Sequence, residues 1–143
     1  MSKIAIVFWS GTGNTEAMAD CIAEGVRTAG GEVEMFGPSN FTAGQLTAFD
    51  AVAFGCPAMG SEVLEESEFE PMFTALESSL NGKNIALFGS YGWGDGQWMR
   101  DWCSRCNDAG ANLLDESGLR VNEAPDAEGK EACKELGRKL AAW

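Results

Sequence analysis

The run Ser10-Gly11-Thr12-Gly13-Asn14-Thr15 stands between an apolar stretch, KIAIVF (3–8), and a helical pattern, TEAMADCIAEGVRTAG (15–30). Backbone N–H groups at a helix start, with the positive end of the helix dipole, make an anion site. Two glycines let the backbone wrap closely around an oxyanion, and the Ser, Thr and Asn side chains add neutral donors. The loop contains no Lys or Arg. It is not a nucleotide P-loop, which needs G-x-x-x-x-G-K-[ST]. It is not the dinucleotide fingerprint G-x-G-x-x-G either, because Glu16 occupies the third glycine position. A cradle for a terminal monophosphate fits the loop. A capped helix after a tight turn, with no ligand, fits it too.

Two further stretches carry unusual residues. In SYGWGDG (90–96), Trp93 lies between glycines, where no helix or strand face buries it. In AMGSE (58–62), Met59 is as oddly placed. An indole beside a phosphate site offers a stacking surface, and a thioether suits contact with an aromatic face. Met59 and Trp93 on opposite walls would sandwich a planar heterocycle. A phosphate at one end and a flat apolar group at the other describe a mononucleotide-type cofactor.

Other chemistry is thinly represented. The chain has no His, which removes the commonest general base, the Ser-His and Cys-His pairs and most zinc sites. Its five cysteines are an odd set in a chain with no export signal, so free thiols in a reducing compartment are expected. WCSRC (102–106) resembles a W-C-x-x-C redox motif, but that chemistry needs the first Cys at a helix N-terminus. Cys103 falls well inside a predicted helix, so the pair is expected to pack on one helical face. Cys56 is expected to be a small apolar spacer.

The net charge of −12 disfavours nucleic acid and anionic membranes. It suits a partner with a basic docking patch, and equally suits solubility alone. No apolar run reaches the ~20 residues of a membrane span, and the N-terminus lacks a cleavage signal, so a cytoplasmic protein is expected.

The elements that must position these loops follow from hydrophobic period. Buried-strand runs are predicted at 3–8, 51–55 and 84–90, an alternating strand at 32–36, and an interrupted last strand across 112–121. Helices are predicted at 15–30, 69–80, 97–110 and 128–142, with at most one helical turn inside 37–49. Regular βα alternation predicts a single domain over 1–143. Its α/β class is a flavodoxin-like three-layer α/β/α arrangement with a five-stranded parallel sheet of order 2-1-3-4-5. Ligands in such sheets bind beyond the carboxyl ends of the strands, beside the switch in strand order. The loops at 9–15, 56–62 and 90–96 sit there.

WSGTGNTEAMA, GCPAMGSE, EESEFEP and LFGSYGWGDG, in this order, resemble the short-chain flavodoxins, FMN-containing electron carriers. The similarity runs through VNEAPD (121–126) and the last helix. Only DESG interrupts the fifth strand, where long-chain members carry an insertion. The resemblance implies non-covalently bound FMN, a low potential and single-electron exchange with redox partner proteins by a monomer. Ser10, Gly11, Thr12, Gly13, Asn14 and Thr15 match the phosphate loop, and Ser90 a residue that helps hold the phosphate. Met59 and Trp93 match the groups flanking the isoalloxazine. Ala58, Gly60, Ser61 and Glu62 match the turn at the ring's N5 and pyrimidine edge, with Glu62 accepting from N3–H, and Pro57 stands at a cofactor-binding position where its ring removes one phosphate hydrogen bond. Tyr91 and Gly92 match backbone contacts to the ring's polar edge, and Asn122 is placed at the ribityl chain. Ser61 departs from the Asp frequent in close relatives, and Pro57 from a small polar residue.

The resemblance also directs attention to tuning. Without a Cβ, Gly60 can take either sign of φ, so its carbonyl can turn toward a protonated N5. Glu62, Glu65, Glu66 and Asp95 are expected to form an acidic rim opposing a reduced, anionic flavin. A quinone reductase-type FMN enzyme of the same fold is the rival reading; it needs an open ring face, which Met59 and Trp93 would cover. A signalling receiver domain needs an acidic cluster and a phosphoacceptor Asp where Trp9 and Cys56 stand.

Overall fold

In a computed structural model the described residues are 2–11, 13–59, 63–92 and 94–143. The strands are β1 (Lys3–Phe8), β2 (Glu32–Phe36), β3 (Ala51–Gly55), β4 (Asn84–Tyr91), β5 (Asn112–Leu113) and β6 (Leu119–Asn122). The helices are α1 (Asn14–Thr28), α2 (Ala43–Leu46), α3 (Phe69–Leu76), α4 (Gln97–Asp108) and α5 (Ala127–Ala142). All strand pairs are parallel, in the order β2-β1-β3-β4-β5, with β6 also against β4. The expected order is therefore present, with its fifth position filled by two short strands. Between them Gly118 (φ 71°) closes a turn by donating to the Asp115 carbonyl at 3.1 Å. A Cβ on Gly118 would lie 2.4 Å from Met99 Sδ, so the break is packed down onto α4.

Alternating residues of the central strands feed two cores. Ala5, Val7, Val52, Phe54, Ile85 and Leu87 face α3 and α4, meeting Phe69, Phe73, Trp98 and Trp102. Phe54, Phe73 and Trp102 pack edge to face, with centroids 5.3 and 5.7 Å apart. Ile4, Ile6, Ala53, Ala86 and Phe88 face α1 and α5. Full burial of both sheet faces is why β1, β3 and β4 read as continuous apolar runs.

The helices α1 and α5 approach unusually closely, at two glycines. A Cβ on Gly25 would lie 2.0 Å from the Lys134 carbonyl oxygen, and one on Gly137 would lie 2.1 Å from that of Ile22. The predicted helix over 69–80 ends sooner, at Leu76, and continues as a 3₁₀ turn over Glu77–Ser79. Across the other face, Arg105 of α4 bonds Glu70 at 2.7 Å and Glu77 at 2.7 Å, with its guanidinium 4.9 Å above the Phe73 ring. These contacts clamp α4 to the first turn of α3 and to the 3₁₀ turn that follows it.

Candidate functional site

The carboxyl ends of β1, β3 and β4 carry three loops that meet at one cavity. Its lining comes from Trp9, Gly11 and Asn14 in the first loop, and Pro57, Ala58 and Met59 in the second. Ser90, Tyr91 and Gly92 line it from the third, and Glu123 from the turn after β6. Its volume of about 400 Å³ suits a small-molecule site. Eight residues singled out by sequence thus meet at this cavity. Thr12, Gly60, Ser61, Glu62 and Trp93 lie outside the described residues.

The first loop is built around an open helix start. Gly13 caps α1 at φ 95°, a left-handed conformation that glycine adopts without strain, and brings no side chain to the first-turn N–H groups. Ser10 Oγ accepts from the N–H of Gly13 at 3.1 Å and of Glu16 at 3.2 Å, so its oxygen braces the loop while its proton stays available. Thr15 is 1% exposed, and among the described residues its hydroxyl has no hydrogen-bond partner. An unpaired buried hydroxyl costs free energy unless something satisfies it, and an anion at this helix start would.

The second loop is pinned at both ends. Trp98 Nε1 donates to the Cys56 carbonyl at 3.1 Å, and the Ala58 N–H donates to the Ser90 carbonyl at 3.0 Å. The Met59 N–H donates to the Val63 carbonyl at 3.0 Å. Cys56 is fully buried, and burial pushes its thiol up to about 12, as expected of a spacer and not of a nucleophile.

In the third loop the Tyr91 ring packs against Trp98 with centroids 5.7 Å apart, and Tyr91 also lines the cavity. The Ser90 hydroxyl departs from expectation: it donates to the Glu123 carbonyl at 2.7 Å. Asn122 departs likewise, its amide donating to the Tyr91 carbonyl at 3.2 Å.

Two of the four expected rim acids are committed elsewhere. Glu65 is 6% exposed, and its carboxylate accepts from the N–H groups of Ser67 (2.9 Å), Glu68 (2.7 Å) and Phe69 (2.9 Å) and from the Ser67 hydroxyl. Burial opposes its charge, but the Ser67 hydroxyl and the three backbone donors outweigh it and hold the carboxyl at about 2. Glu65 therefore caps α3. Asp95 pairs with Arg100 at 2.9 Å, and Arg120 reaches its carbonyl at 3.3 Å. Glu66 stays exposed.

Sequence reasoning missed Trp9 and Glu123. Trp9 lines the cavity, covers Gly11 and donates its indole N–H to Glu68 at 2.9 Å. Its place directly before the SGTGNT loop was the available signal. Cys103 and Cys106 are buried on one face of α4 as expected, and burial raises their thiols to about 11 and about 12. Among the described residues, no cluster of His, Cys, Asp and Glu could hold a metal ion.

The family model "Flavodoxin" matches residues 6–137. The chain is 48% identical to a flavodoxin of Clostridium beijerinckii, over 95% of this chain and 97% of that one. It is also 48% identical to a flavodoxin of Megasphaera elsdenii, over 96% and 98%. The solution structure of the two-electron reduced Megasphaera elsdenii flavodoxin superposes with a TM-score of 0.87 at 45% identity, covering 98% of this chain and 99% of that one. The geometry of the three loops and these similarities agree: the chain belongs to the flavodoxin family, electron-transfer proteins that use non-covalently bound FMN to pass electrons between redox partner proteins.

Proposed function

We propose that the cavity at the ends of β1, β3 and β4 holds the FMN, and that the chain works as a single-domain monomer (1–143) in the cytoplasm. The observation that carries this reading is the buried Thr15 hydroxyl, which has no partner among the described residues and lies at the start of α1, next to the cavity-lining Asn14. A dianionic phosphate supplies the acceptor that Thr15 lacks, and the glycine-capped helix start supplies the field.

When bound, FMN takes up and releases electrons one at a time, and the protein's part is to place it and tune it. Ser10, Gly11, Thr12, Gly13, Asn14 and Thr15 hold the phosphate. Met59 and Trp93 flank the ring. Pro57, Ala58, Gly60, Ser61 and Glu62 form the turn at its N5 and pyrimidine edge, and Ser90, Tyr91 and Gly92 face its polar edge. The donors present are neutral, so the site fits a phosphate while adding no cation to offset negative charge on the ring. That arrangement favours a low potential.

Basic surfaces on the redox partners are the proposed docking faces, drawn by the net charge of −12. Among the described residues, no helix is long and apolar enough to cross a membrane. The deciding experiment is an anaerobic reductive titration of the purified protein followed by visible spectra. A yellow protein reduced in two separated one-electron stages supports the reading. A colourless protein that takes up no added FMN overturns it.

A further inference from the structure

Glu123 is, among the described residues, the one non-glycine with a positive φ, 57°. A side chain of this size is uncommon in the left-handed region, and it persists there only when its surroundings over-determine it. Two hydrogen bonds to adjacent residues of β4 do so. The Ser90 hydroxyl donates to the Glu123 carbonyl at 2.7 Å, and the Glu123 N–H donates to the Tyr91 carbonyl at 2.7 Å. The Asn122 amide adds a bond to the same Tyr91 carbonyl at 3.2 Å. These contacts carry the β4–β6 pairing past its last register pairs, Ser90 with Val121 and Tyr91 with Asn122. They end on the segment 90–92 that lines the cavity and runs into Trp93.

The directions of a residue's N–H and C=O are set by φ and ψ. If position 123 relaxed to an ordinary right-handed or extended conformation, both bonds would be lost together. The 90–92 backbone would then keep the Ala58 N–H to the Ser90 carbonyl on the β3 side, and on the β6 side only the end of the strand pairing and the longer bond from the Asn122 amide at 3.2 Å. We propose that Glu123 is a positioning residue for the flavin: its left-handed turn latches Ser90 and Tyr91 and so fixes the 90–92 backbone against the ring. The turn does this, and the carboxylate does not. The Ser90 hydroxyl serves the same latch in place of the phosphate. This inference rests on the cofactor reading of the cavity.

The test uses apoprotein titrated with FMN and, separately, with riboflavin, which lacks the phosphate. Flavin fluorescence quenching gives the dissociation constants, and visible circular dichroism reports the ring's surroundings. Glu123→Gly and Glu123→Asn tolerate the left-handed turn and are expected to bind within about twofold of the parent, with the same spectrum. Glu123→Val cannot hold the turn; losing two hydrogen bonds should weaken both flavins about tenfold or more and change the spectrum. Ser90→Ala, which leaves position 123 intact should the valine variant not fold, is expected to weaken FMN and riboflavin by the same factor.

A Glu123→Val protein with parental affinity and spectrum overturns the latch. So does a Glu123→Gly protein as impaired as the valine variant, which would assign the role to the carboxylate. So does a Ser90→Ala protein that loses FMN affinity alone, which would return Ser90 to the phosphate. A parent protein that binds neither flavin overturns the cofactor reading itself, and is seen before any variant is made.

Discussion

The carboxylate of Glu65 accepts the Phe69 N–H at 2.9 Å, four residues on, and so closes the open start of α3. The same carboxylate collects Ser67 and Glu68, and the Glu65 N–H donates to Cys56 Sγ at 3.3 Å, which ties the cap to the second cavity loop.

Its folded carboxyl stands at about 2 against an ordinary 4.5, so the stabilisation is complete above about pH 5 and is lost as pH falls from 4.5 towards 2. The contribution is on the order of 3 kcal/mol. Glu65→Gln removes the charge and turns an N–H₂ toward N–H donors. Urea unfolding at pH 7 should show a loss of about 2 kcal/mol or more. The difference from the parent should shrink between pH 4.5 and 3, and a constant difference would refute the assignment.

Thr15→Val separates folding from binding. The variant removes a buried hydroxyl that has no partner among the described residues, so the apoprotein should melt at the same temperature or slightly higher. FMN affinity should fall about tenfold, while riboflavin affinity stays unchanged. Equal losses for both flavins would take Thr15 out of the phosphate site.

The rim acids should differ in their effect on potential. Removing one carboxylate ~10 Å from the ring is worth about 1–2 kcal/mol at an effective dielectric of ~20, or several tens of millivolts before salt screening. Glu62→Gln and Glu66→Gln should each raise the potential for the second electron. Asp95→Asn should raise it less, because Arg100 already pairs with that carboxylate at 2.9 Å. Spectroelectrochemistry at low and high salt reads the order directly.

Gly137→Ala places a methyl group 2.1 Å from the Ile22 carbonyl oxygen and 2.8 Å from the Val26 nitrogen. Separating α1 from α5 should cost about 2 kcal/mol, more than the helix propensity that alanine returns. Gly37→Ala is the control: φ is −83° there and a Cβ meets nothing within 4 Å. Thermal melts should fall for the first variant and stay level for the second.

The five thiols should react unequally with a disulfide reagent at pH 8. Cys21 is half-buried, whereas Cys56, Cys103, Cys106 and Cys133 are buried, and burial holds their thiols between about 11 and about 12. One thiol should be modified quickly and four only on unfolding. Rapid modification of Cys103 would reopen a redox role for the WCSRC segment.

What the sequence determined by itself was periodic or compositional. Apolar runs bounded by loops gave β1, β3 and β4, and βα alternation gave the parallel order, because a strand buried on both faces leaves no polar alternation. SGTGNT, AMGSE and SYGWGDG stood out as candidate site loops because they break the period at the carboxyl ends of strands, beside the switch in strand order.

Tertiary structure alone decided which polar groups were already spent. Glu65 and Glu66 are neighbours of one residue type, yet one caps a helix and the other meets solvent. The Ser90 hydroxyl goes to Glu123, thirty-three positions away, and Trp9 goes to Glu68, fifty-nine away. Hydrogen bonds are short and directional, and the folded backbone determines which groups come within reach. A single residue's type states what it can bond, and only the fold supplies the partner.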